Sequence, residues 1–156
     1  MAFHIHPNGG GLVADTAEVT DTAYVGKYCV VYDQARVLEN ARIEDFARVF
    51  GTARISGNAI VAGDAKVYEN ARVGGSAKVG MLSRVYGNAC ITEEAVVAGR
   101  SIVRGDAVLA GNSVITGKAR VSGGAHVSGT AMVTGDAVMV EGHYQEGLHS
   151  GKCEQL

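Results

Sequence analysis

The chain has no tryptophan, one proline (Pro7) and only nine aromatic residues among 156. It has no 18-residue apolar run, so no membrane-spanning helix is expected. The opening Met1-Ala2-Phe3-His4-Ile5-His6 is not a secretory signal. Cys29, Cys90 and Cys153 are few and widely spaced, the usage of a reduced, cytoplasmic protein. A formal net charge of −2 gives no whole-molecule attraction to nucleic acid, so no long nucleic acid partner is expected. Gly-x-Ser-x-Gly, P-loop and Cys-x-x-Cys signatures are absent, which removes the commonest motif-borne chemistries.

What is present is a register. Every sixth residue from Ala17 to Ala137 is small, and the residue two further on, from Val19 to Met139, is apolar. That makes 21 hexads without insertion or slip. A strict period of six fits no helical face. Small-x-aliphatic-x is two-residue alternation, the mark of a strand with one buried face. The next position begins a turn, and 12 of its 21 occupants are glycine, often followed by Asn or Asp. Glycine tolerates positive φ without a Cβ clash, and Asn and Asp tolerate it better than most. Such strand–corner units bury their apolar side only when stacked. Three hexads make an 18-residue triangular turn, so the expectation is an all-β, single-domain parallel β-helix of seven turns.

Ile55-Ser56-Gly57-Asn58-Ala59-Ile60-Val61 and Val85-Tyr86-Gly87-Asn88-Ala89-Cys90-Ile91 resemble the hexapeptide-repeat family of left-handed parallel β-helices. The resemblance covers residues 13–140 and implies the handedness and a homotrimer. Many members of that family are acyltransferases and some are γ-class carbonic anhydrases. The segment Asn8–Ala17 is similar to small hexapeptide proteins of phages and prophages. Residues 1–12 and 141–156 break the period and read first as caps, since open prism ends expose strand edges and core. His4-x-His6 has the spacing of metal ligands, but nothing fixes a third, and no metal site is expected.

Residues 18 apart stack on one wall. One wall carries Tyr32, Phe50, Tyr68 and Tyr86 in one outward column, continued by Arg104, and Arg48, Lys66 and Arg84 in the other. Rings beside guanidinium groups suit planar anions, because bases stack on rings while guanidinium forks onto phosphate. Arg48, Lys66, Tyr68, Arg84, Tyr86 and Arg104 are therefore the expected ligand residues, for a small nucleotide-like anion bound on the wall or in a groove between subunits. Acidic corners such as Asp33, Glu39, Asp45 and Glu69 are expected to offset some of that charge. Cys90, Val96, Ile102, Val108 and Val114 are successive uncharged outward positions and suggest burial against other copies in a homotrimer, through walls that include Met132.

Two alternatives stand beside this non-catalytic reading. The resemblance implies an acyl-CoA-dependent acyltransferase, whose general base would be His126, the one histidine within the coils. No loop interrupts the hexads, however, and the glycines fall one position later than in the family's enzymes. A zinc enzyme of the carbonic anhydrase type needs three histidines, where the coils supply one. The second alternative is a purely structural trimeric module in which the ladders only stabilise the coil. Outside the acyltransferase alternative, which would take acyl-CoA, no cofactor is expected.

Overall fold

The computed structural model describes residues 2–150. Residues 151–156 of the expected C-terminal cap, with Cys153, lie outside the described residues. The chain is all β: short strands form three sheets, one per face of a triangular solenoid of about eight turns. Wall I runs from Leu12–Ala14 through Arg48–Val49, Lys66–Val67 and Arg84–Val85 to Val138–Met139. Wall II runs from Glu18–Val19 to His143–Tyr144, and wall III from Tyr24–Val25 to Leu148–Ser150. Neighbouring strands are parallel and, along the hexads, 18 residues apart, as in Lys66↔Arg84 and Val67↔Val85.

The 21 hexads account for seven turns. The eighth comes from strands that the period does not mark. Leu12–Ala14 pairs in parallel with Val30–Val31, and beyond the hexads His126 pairs with His143 and Met132 with Leu148. Those last steps are 17 and 16 residues, so the hexad period is lost while the ladder continues.

The core is the two columns seen in the sequence. The aliphatic residues from Val25 to Met139 and the alanines between them are essentially inaccessible to solvent. Ser83, Ser101 and Ser113 replace alanine at no exposure. Each donates its hydroxyl to the carbonyl three residues back, of Gly80, Ala98 and Ala110, which satisfies a group that would otherwise be costly to bury. Cys29 takes the same column. Its thiol donates to the Asp45 carbonyl at 3.3 Å, and burial pushes its pKa up to about 11.

The corners follow a rule finer than the glycine count. From position 33 to position 135 positive φ belongs to the first corner residue, whether glycine or not: Asp33, Glu39, Asp45, Glu69, Met81 and Glu93 adopt it at 57–59°. The Asn and Asp residues that follow do not, contrary to the expectation from their tolerance. In every one of the six cases the stacked corner one turn on is a glycine. In five of the six the side chain below reaches that glycine's N–H, which donates, for example, to Asp33 at Gly51 (3.1 Å), to Asp45 at Gly63 (3.0 Å) and to Glu69 at Gly87 (2.9 Å). These carboxylates thus close orphan backbone donors. The asparagines instead form a side-chain ladder, Thr52–Asn70–Asn88–Asp106.

The N-terminal end is closed by Phe3–Ile5, antiparallel to Leu12–Ala14, and by the link between them. His6 is 3% exposed, and its Nε2 and the Asn8 amide both bond the Ala23 carbonyl, at 2.9 and 3.1 Å. His4 is held by Asp15 at 2.7 Å. Both rings of His4-x-His6 are therefore engaged within the cap. At the other end Tyr144 takes an inward place against the core, its hydroxyl donating to the Glu141 carbonyl. No helix among the described residues is long and apolar enough to cross a membrane.

Candidate anion-binding wall

Wall I carries the aromatic column as read from the 18-residue spacing. Tyr32, Phe50, Tyr68 and Tyr86 stack with centroids 4.7–4.8 Å apart and planes within 8° of parallel. That spacing is the distance between strands, so the rings fill the column. Both faces of Phe50 and of Tyr68 are covered by neighbouring rings. On the C-terminal side, the face of Tyr86 is the one without a ring, and Arg104 stands on the next turn. Tyr68 therefore supports Tyr86 and offers a ligand its edge and hydroxyl. A second stack, Tyr28 on Phe46 at 5.4 Å, stands on the corner leading into this wall. The sequence reading missed it, although the two residues are also 18 apart.

Arg48, Lys66 and Arg84 are in-register neighbours on three strands. Like charges directly across a strand pair are destabilising. Elsewhere Arg36 pairs with Glu18 at 2.9 Å and Arg42 with Glu44 at 2.7 Å, whereas the in-register Arg54 and Arg72 of wall II have no ion pair among the described residues. Among the described residues Arg48, Lys66, Arg84 and Arg104 have no ion pair. Of the acidic corners expected to offset them, Asp33, Asp45 and Glu69 accept from glycine N–H groups instead.

Four of the six expected ligand residues line two depressions. One, of about 360 Å³, is lined by Asp64, Lys66, Leu82, Arg84, Arg100 and Ile102. Three cations face a single carboxylate there. Arg100 was not among the expected residues. It sits on a corner, where the sequence was read for turn formation, yet it stacks with Asp64 and Leu82 by the same 18-residue count. The other depression holds Tyr86 and Arg104 with Glu69, Ser122 and glycines. Arg84 and Tyr86 belong to the same hexad, two residues apart, and link the two hollows. Arg48 and Tyr68 line neither.

Burial, above all, holds the Tyr68 hydroxyl above the ordinary tyrosine range; Tyr86 and Glu69 add to this and Arg84 opposes it. Tyr32 is raised in the same way, by burial and then Asp33, with Arg48 opposing. This contribution to stability is complete below the unfolded pKa of about 10. It is lost as pH rises through the folded value, because the unfolded chain ionises first. Phenolate absorbance of the folded protein is expected to lag that of the denatured chain in an alkaline titration. Coincident curves would contradict the buried ladder.

His126 is half-buried on wall II, a different wall from Lys66, Arg84 and Arg104. Its ring lies 5.1 Å from that of His143, centroid to centroid. The family model described as YdcK Beta solenoid repeat matches residues 53–69, close to one turn of the coil and including Lys66 and Tyr68. No curated protein matches the chain.

Proposed function

We propose that this β-solenoid is a non-catalytic binding protein for a small, planar, phosphate-bearing anion of nucleotide type, held on wall I. The observation that carries the reading is the convergence of Lys66, Arg84 and Arg100, none of them ion-paired among the described residues, on one depression with a single opposing carboxylate. The phosphate sits against these three, where guanidinium geometry suits paired oxygens. The planar body extends across the strand toward the open face of Tyr86, flanked by Arg104, with Arg48 adding field from the turn below. Tyr68 fixes Tyr86 from behind. Stacking on an aromatic side chain contributes roughly 1–3 kcal/mol per base.

The same reading makes the protein a cytoplasmic homotrimer that associates through wall III. Its outward residues Ile60, Val96, Val114, Met132 and Leu148 are apolar, with Arg42 and Lys78 the charged members of the column, and Ala62, Gly80 and Ala98 keep it flat. Met132 and Leu148 are 42% and 65% exposed in the single chain. Wall I is the poorer self-interface, because parallel copies would set its cations against one another. A phage origin fits the similarity of residues 8–17.

The test is a thermal-shift screen of inorganic phosphate, mononucleotides, cyclic nucleotides and acyl-CoA. A ligand at one hundred times its Kd stabilises by about 2.7 kcal/mol. A mononucleotide is expected to raise the melting temperature more than inorganic phosphate does, and Arg100→Ala is expected to reduce both shifts. A shift with acyl-CoA alone, together with acyl transfer lost in His126→Ala, would replace this reading with the acyltransferase. No shift with any anion would leave the structural module.

A further inference from the structure

Wall II ends in a pair of histidines that the anion-binding reading does not use. His143 is the in-register partner of His126 on the adjacent parallel strand. The two rings are 5.1 Å apart, centroid to centroid, and tilted by 43°. The row continues on the other side of His126 with Val108, and neither imidazole is ion-paired among the described residues.

We infer that His126 and His143 together bind one first-row divalent transition-metal ion, which fastens the last strand of wall II to the coil. Imidazole nitrogens ligate zinc at about 2.0–2.1 Å, so two rings sharing one ion at angles of roughly 90–110° have centroids about 4.5–5.3 Å apart. The observed separation, set by the strand spacing that in-register rings share, lies inside that window. Imidazole is a ligand for zinc, copper and nickel, whereas magnesium and calcium take oxygen. Among the described residues no group of three or more His, Cys, Asp or Glu gathers around an ion. The site therefore has two imidazole ligands among the described residues.

The placement gives the ion a structural effect. His143–Tyr144 is an edge strand, paired on one side only, at the step where the 18-residue spacing first fails. Its pairing rests on two residues, and a bridge between the two rings adds a second tie. The other histidines of the described chain are engaged elsewhere. His4 is with Asp15, His6 with the Ala23 carbonyl, and His149 with the Glu146 carbonyl at 3.2 Å.

The experiment is calorimetric titration of the full chain with zinc chloride, joined to amide hydrogen exchange with and without the ion. One zinc per chain is expected, with added protection concentrated in residues 143–150. His126→Ala and His143→Ala should each weaken binding at least tenfold, and His126→Gln, which keeps a polar side chain on a fully paired strand, should do the same. His4→Ala and His149→Ala should bind as the wild type does, and magnesium chloride should give no heat of binding. Absence of uptake by the wild type, uptake that survives both His126 variants and His143→Ala, or loss in His149→Ala would each overturn the inference.

Discussion

Val73→Asp is expected to abolish folding. Val73 is 1% exposed and pairs with Ile55 on one side and Ile91 on the other, in the middle of wall II. An aspartate there has no partner, and an unpaired buried carboxylate costs several kcal/mol. Typical domain stability is about 5–15 kcal/mol. Because each turn contacts only its neighbours, a defect in a central turn also uncouples the two halves. Circular dichroism with urea titration is expected to show no cooperative transition. Val73→Ile, which adds one methylene but matches both neighbours in the column, should cost about 1–3 kcal/mol and still fold cooperatively. A soluble Val73→Asp variant with unchanged spectrum and cooperative melting would contradict the inward assignment.

The corner rule makes a second prediction with two arms. Gly117 has φ of 69°, and a Cβ there would lie 2.6 Å from the Gly135 nitrogen. Gly117→Val places a branched side chain in left-handed backbone, at about 1–2 kcal/mol for the backbone alone, and presses it into the next turn. Gly117→Asp copies the arrangement of Asp45 beneath Gly63, so its carboxylate can accept the Gly135 N–H. The valine variant is expected to melt lower by several degrees, at about 2–4 °C per kcal/mol for a chain of this size, and the aspartate variant distinctly less so. Equal losses would show that the capped corners are incidental.

The sequence makes the walls legible because one period governs burial, corner and stacking together. Once Ala59 and Val61 are placed inward, Ile60 and Ala62 must face out, and the count of 18 assigns every partner. It fails where the period fails. His143 and Leu148 continue the ladders after 17- and 16-residue steps, so the last strands and the His126–His143 pair were invisible to a count of six. Phe3–Ile5 pairs antiparallel, which no hexad announces. At the corners the residue types misled, since Met81 and Glu93 take positive φ while Asn58 and Asn88 do not. What permits them is the glycine one turn further on, a neighbour in space. On wall I the columns were legible, but two consequences were not: rings at strand spacing leave no room between them, and Arg100 on its corner enters the same depression as Lys66 and Arg84.

The measurement that bears most directly on the account compares the wild type with Arg84→Ala/Tyr86→Ala in two readouts, light-scattering mass and calorimetric binding of a mononucleotide. Both side chains point outward from wall I, and neither belongs to wall III. The account predicts a folded double variant that keeps a mass about three times that of the 16.1 kDa chain and loses mononucleotide binding, with wild-type binding weakened by added salt as expected for exposed charge. A double variant that falls to monomer, from a wild type that takes up no mononucleotide, would contradict it and make the ladder a subunit interface.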